Sequence, residues 1–254
     1  LHANYTNRYY DTYDAGGNFV LTSPKWSADV IYSAARSKEL SSFDLHSPPT
    51  FEGQPYDIRQ DEGMTSEGWS HRLRAAVEYA PKQRGRLSAA YTASFSPNTD
   101  GISHSTGTYV ESFSKKLSDE SLHNLALRYT SAFGLDLGLD YTHYDSPERS
   151  KLENDYADAS VTAFDIVSGQ RIDRLNATVD ERHAFDSGWE LTAGGAFAFA
   201  RSHDWQHYTV LEGSPATSDT DARLDEYTGN LYAGFGRQFG KIGFTASLAG
   251  EYYR

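Results

Sequence analysis

The chain has no cysteine, a single methionine and few aliphatic residues for its 254 positions. The missing cysteines exclude disulfide frameworks and thiol-based metal or redox chemistry. There is no apolar run of about 18 residues, so a transmembrane helix is excluded as well. Basic residues are scarce: 23 Lys and Arg stand against 35 Asp and Glu, a net charge of −12 that argues against a nucleic-acid partner. Leu1-His2-Ala3-Asn4-Tyr5 lacks the basic start and apolar stretch of a signal peptide. Gly-x-Ser-x-Gly, P-loop and dinucleotide fingerprints are all missing.

What the chain does hold is aromatic: 18 Tyr, 13 Phe and 4 Trp, against a hydrophobic share of only 38%. A soluble core of this size draws on more Leu, Ile and Val. A transmembrane barrel needs apolar residues only at alternate strand positions, with Tyr and Trp at the two interfaces.

Leu87-Ser88-Ala89-Ala90-Tyr91-Thr92-Ala93-Ser94-Phe95 shows that alternation plainly, and similar stretches recur about ten times. The pattern predicts strands over residues 17–21, 26–32, 69–79, 86–96, 125–133, 135–142, 175–180, 189–199, 227–239 and 242–252, and no helix. Residues 1–7 read as a further strand joined by a turn near Asp11. Short turns are expected at 23–25, 80–85, 133–134, 186–188 and 240–241. Between the other strand ends, residues 37–67, 97–121, 145–169 and 201–226 read as long polar loops. Within them, residues 107–113 form a local ribbon and 159–167 extend a strand. Short turns on one side and long loops on the other are the asymmetry of an outer-membrane barrel, and a compact soluble domain rarely tolerates four such loops.

The polar faces carry Asp29, Arg72, Arg74, Glu78, Arg128, Asp136, Asp140, Arg174, Asp180, Glu190 and Glu251. An Arg or Lys facing lipid at the midplane costs about 2–4 kcal/mol, so these residues are expected to line an aqueous or protein-filled interior. Two roles are open to them: pairing with one another to hold the wall together, or contacting a plug or a passing ligand. Trp26, Tyr79, Phe133, Trp189 and Phe239 near the short turns form one expected girdle. Tyr32, Phe95, Trp69, Tyr141, Tyr227 and Tyr252 form the other.

The run Tyr13-Asp14-Ala15-Gly16-Gly17-Asn18-Phe19-Val20-Leu21-Thr22-Ser23-Pro24-Lys25-Trp26 resembles the barrel of TonB-dependent outer-membrane receptors, the outer-membrane β-barrel family. So does Gln170-Arg171-Ile172-Asp173-Arg174-Leu175-Asn176-Ala177-Thr178-Val179-Asp180, followed by Ser187-Gly188-Trp189-Glu190-Leu191-Thr192-Ala193-Gly194. The resemblance implies ten to eleven antiparallel up-and-down strands of a transmembrane barrel of about 22. It further implies a single barrel region over residues 1–254 in the Gram-negative outer membrane. The implied partners are outer-membrane lipid, the parent protein's own plug domain, TonB, a surface lipoprotein, and a small-molecule or oligomeric nutrient. Nothing here matches a plug or a TonB box, and no catalytic residue, cofactor or metal is assigned. Counted through the turns, the last strand is expected to finish on the long-loop side, so the wall does not close by itself.

Other chemistry is weaker. His203-Asp204-Trp205-Gln206-His207 spaces two imidazoles as a helical metal site would, but it falls in an expected loop, where solvated side chains are the default. Asp219, Asp221 and Asp225 lack the Gly and terminal Glu of an EF-hand. Two alternatives stay open. One is a self-contained ten-stranded outer-membrane protease using loop carboxylates with His203 or His207. The other is a soluble β-sandwich adhesin or lectin.

Overall fold

Residues 1–7, 10–47, 50–51, 54–55, 58–81, 85–213 and 218–254 are described by a computed structural model. They form β1 (His2–Asn7), β2 (Asp11–Thr22), β3 (Trp26–Ser47), a two-residue pair β4 (Thr50–Phe51) and β5 (Gln54–Pro55), β6 (Ile58–Tyr79), β7 (Arg86–Gly107), β8 (Val110–Thr130), β9 (Leu135–Tyr156), β10 (Val161–Ala184), β11 (Trp189–Glu212), β12 (Thr220–Phe239) and β13 (Ile242–Tyr253). Among the described residues there is no helix.

Eleven strands make one antiparallel sheet in the order β1-β2-β3-β6-β7-β8-β9-β10-β11-β12-β13, each pairing with its neighbour in sequence. The order never returns to β1, so β1 and β13 are open edges among the described residues. β1 and β2 pair with Asn7 opposite Asp11, in line with the further strand expected over residues 1–7.

The expected long loops are mostly strand. β3 continues to Ser47 and β6 begins at Ile58, β7 and β8 meet across residues 108–109, and β9 and β10 across 157–160. Leu40, Ile102 and Leu117 therefore lie in ladders, opposite Thr65, Lys115 and Arg149. The loop expectation rests on proline and glycine acting as breakers, and here they do not break the strands. Pro97 and Gly68 instead occupy irregularities, where pairing skips from Glu67 to His71 and from Ser96 to Thr99. Asn98 there takes φ of 49° and its N–H donates to Asp119 Oδ1 at 2.7 Å, a bulge that absorbs the proline and lets the strand resume. Pro147 likewise faces Gly169 on one side and a gap in the β8 ladder on the other. Of the expected turn at 80–85, residues 82–84 lie outside the described residues, as do 48–49, 52–53, 56–57 and 214–217 of the expected loops. Phe133, expected at the end of a strand, sits in the turn that Gly134 closes with φ of +107°.

Strands of 22 residues reach about 70 Å at roughly 3.3 Å per residue, more than twice what a bilayer crossing requires. Only one layer of structure is present. Ala93 and Phe164 are the buried apolar residues among those described, whereas Leu248 is 80%, Leu231 72% and Phe19 64% exposed. The sheet thus has no core of its own. Along its short-turn half most of the larger apolar side chains gather on one face with nothing packed over them, whereas farther along Phe43, Phe164, Ile166 and Leu224 lie on the other face.

Candidate functional site

Cross-strand register assigns each side chain to a face. One row runs Leu21–Ala28–Val77–Ala89–Leu127–Leu139–Ala177–Phe197. The next runs Phe19–Val30–Ala75–Tyr91–Leu125–Tyr141–Leu175–Phe199–Tyr227. Neither row carries a charge. At the short-turn end Trp26 and Tyr79 bring their rings to 4.2 Å, and Trp189 meets Phe239 edge-on at 6.2 Å.

At its other edge the apolar face ends in a repeated device that the sequence reading missed. Tyr32 stands opposite Leu73, Tyr91 opposite Leu125 and Tyr141 opposite Leu175. Each tyrosine hydroxyl reaches the residue two positions beyond that leucine: His71 Nδ1 at 2.8 Å, His123 Nδ1 at 2.7 Å and Asp173 Oδ1 at 2.6 Å. His143 closes the series, its Nδ1 2.8 Å from Asp173. The signal was present as a spaced triplet, His71-Arg72-Leu73, His123-Asn124-Leu125 and Asp173-Arg174-Leu175.

Every candidate polar residue occupies the opposite face. Arg74 pairs with Asp29 and Glu78 with Arg86. Arg128 donates to Asp140 at 2.6 Å, and Arg182 meets Glu190 at 2.8 Å. Asp180 accepts from the Tyr232 hydroxyl. That last contact spans two strands, because Asp180, Gly194 and Tyr232 share one row. Gly194 has no side chain to block the ring; a Cβ there would lie 2.6 Å from the Tyr232 hydroxyl oxygen. Arg86, Arg182 and Tyr232 were not among the expected site residues, and counting register outward from each turn would have found them. Arg72, Arg174 and Asp136 have neither an ion pair nor a side-chain hydrogen bond among the described residues, and all three are exposed. The structure therefore separates the candidates into wall-bracing pairs and three free charges facing the open side of the sheet.

Along the upper strands the polar face continues as a ladder of side-chain bonds. Gln60 donates to Ser105 Oγ at 2.8 Å, Ser112 to Asn154 at 2.7 Å and Gln170 to Asp204 at 2.7 Å, while Lys116 meets Glu148 at 2.5 Å. On the other face Lys38 and Arg36 both bond Glu67, and the Lys38 and Arg36 hydrogen bonds hold its carboxyl below the ordinary value of 4.5. Asp219 is lowered first by the Tyr208 N–H, which donates to it at 2.9 Å, and also by His207.

His203 and His207 lie on strand β11 rather than in a loop, and they engage separate carboxylates, Asp221 at 3.1 Å and Asp219 at 3.4 Å. Asp204, between them in sequence, is held by Gln170 on the opposite face. Asp225 is held by Arg201 through two bonds of 2.7 and 2.9 Å. Among the described residues no three His, Asp or Glu side chains converge on one point. No protein-family model, curated protein or solved structure matches the chain.

Proposed function

We propose that this chain is a wall segment of a transmembrane β-barrel in the Gram-negative outer membrane, part of a TonB-dependent receptor that imports a small-molecule or oligomeric nutrient. The observation that carries the reading is the uncovered apolar face: an uncharged band bounded by aromatic rows, on a sheet whose other face holds Asp29, Arg74, Glu78, Arg128 and Asp140. Soluble monomers rarely expose apolar patches beyond a few hundred Å². In lipid the same face is satisfied, and the long strands project beyond the bilayer.

Two open edges favour a segment of a larger wall over a ten-stranded enzyme that closes on itself, because an unpaired strand edge cannot face hydrocarbon. The reading assigns no catalytic residue. Arg72, Arg174 and Asp136 are the groups it offers to a plug or a ligand. Plug, TonB and a surface lipoprotein belong to the parent molecule through the family resemblance alone.

The four tryptophans supply the test, since all lie on the apolar face, Trp26 and Trp189 at the short-turn end and Trp69 and Trp205 farther along. In single-tryptophan variants reconstituted into vesicles, lipids brominated at graded depths should quench Trp26 and Trp189 at one interface and Trp69 at the other. Trp205 should stay bright. A chain that is monomeric and folded without detergent would sink the membrane reading. With no native cysteine to interfere, a disulfide forming within one chain between cysteines placed on β1 and β13 would show self-closure and overturn the segment reading.

A further inference from the structure

On the polar face, carboxylates near the short turns each meet an arginine from the adjacent strand: Asp29 with Arg74, Glu78 with Arg86, Asp140 with Arg128 and Glu190 with Arg182. One row on the same face holds two opposite charges that do not meet. Arg174 of β10, Ala200 of β11 and Glu226 of β12 stand in line across the sheet, so a whole strand separates the charges. Both are exposed, and neither has an ion pair or a side-chain hydrogen bond among the described residues. The carboxylate nearest Arg174 is Asp140, one diagonal away on β9, and Arg128 already holds it at 2.6 Å. Glu226 has no closer cation on its face. The residues of β11, β12 and β13 that share that face include no Lys or Arg, and Arg254 pairs with Tyr227 on the apolar side.

The separation sets the size of what fits between them. Two strand spacings of about 4.8 Å place the charge-bearing positions about 10 Å apart, and the side chains stand roughly perpendicular to the sheet. The ammonium and carboxylate of one α-amino acid lie about 3 Å apart, and a charge-assisted hydrogen bond of about 2.8 Å at each end fills the rest of the gap. An anion or a cation alone would answer one side and leave the other. The neighbouring rows give the molecule a direction. Away from the short turns, Ile172 and Leu224 face each other across Ser202, and Leu224 is 55% exposed. Toward the short turns, Asn176 and Thr228 face each other across Ala198. The apolar pair lies about 6–7 Å along the strands from the charged row, within contact of a leucine or phenylalanine side chain whose head group sits there. We propose that this site binds an α-amino acid with an apolar side chain. Arg174 takes its carboxylate in a two-pronged contact, Glu226 its ammonium, and Ile172 and Leu224 its side chain. The proposal rests on the barrel-wall reading above, which turns this face to the lumen, and it narrows the imported nutrient to a small zwitterion.

The test uses the full chain in phosphatidylcholine vesicles with L-leucine as the probe. Insertion is read by tryptophan quenching, and contact by NMR saturation transfer to the leucine methyls against protein-free vesicles. Leucine is expected to bind. Leucinamide lacks the carboxylate, isocaproate the ammonium and glycine the side chain, and each should bind about tenfold more weakly. R174Q should erase the preference for leucine over leucinamide, and E226Q the preference over isocaproate. I172S/L224S should erase the preference over glycine, with strand content by circular dichroism unchanged in all three. A leucine signal that survives in R174Q/E226Q, or equal binding of leucine, leucinamide and isocaproate, would overturn the proposal. So would the absence of leucine contact in a chain that has inserted. Failure to insert would instead remove the barrel-wall reading, and the proposal with it.

Discussion

Tyr91 and His123 sit on adjacent strands and are joined at 2.7 Å, although each has a different residue directly across the ladder. The diagonal contact places a hydrogen-bonded pair at the border where uncharged side chains give way to charged ones. Removing the hydroxyl should leave the His123 ring nitrogen without its partner. Tyr91→Phe is expected to lose about 1 kcal/mol of stability. A double-mutant cycle with His123→Phe, followed by urea unfolding in detergent micelles, should return most of that loss as coupling energy. A coupling near zero would make the contact incidental.

Adjacent alanines give the sharpest test of which face meets lipid. Ala89 lies in the apolar row between Val77 and Leu127, and Ala90 lies on the other face between Ala76 and Ala126. Ala89→Arg should cost about 2–4 kcal/mol of stability in vesicles, and Ala90→Arg well under half of that. Equal effects, measured by denaturant titration of the inserted chain, would contradict the assignment of the faces.

Gly194 makes room for Tyr232 to reach Asp180. Gly194→Ala should destabilise by about 1–3 kcal/mol through overpacking. Part of the loss should return in a Tyr232→Ala background, since the Val179 carbonyl, 2.5 Å from the added Cβ, still crowds the site. Thermal unfolding of the two single variants and the double variant decides it.

Acid should loosen the upper strands first. The Glu67 carboxyl is held below 4.5 by Lys38 and Arg36. A carboxylate whose folded pKa is depressed contributes stability that is present above its unfolded pKa and is lost as pH falls through the folded value. Amide exchange at the upper ends of β3 and β6 should therefore accelerate as pH drops below about 4.5, relative to intrinsic rates. Glu67→Gln should flatten that pH dependence while raising exchange at neutral pH.

The face assignments were legible from period-2 alternation alone, because a strand offers only two orientations. Asp29, Arg74 and Asp140 landed where the pattern placed them. Strand ends were not legible. Beyond His71 and Ser96 the apolar face stops being apolar, so alternation fades although pairing continues. Residues such as Arg149 and Lys151 then look like loop. Backbone hydrogen bonding and bulges at Pro97 and Gly68 carry the ladder onward, and neither leaves a hydrophobic signature. The Tyr–His diagonal escaped for a related reason: it depends on register between strands, which composition within one strand does not encode.

Every strand of the main sheet pairs only with the preceding and following strands of that sheet, the β4–β5 pair standing apart between β3 and β6. The entropy of closing loops is therefore incurred one hairpin at a time, never across the whole chain. Assembly can proceed as a zipper, each new hairpin templated on the edge just completed. Excising one hairpin, such as β8 with β9, would remove two strands without asking any other pair to find a distant partner. A wall built this way can widen or narrow by duplication or loss of hairpins, with its wet and greasy sides kept in step.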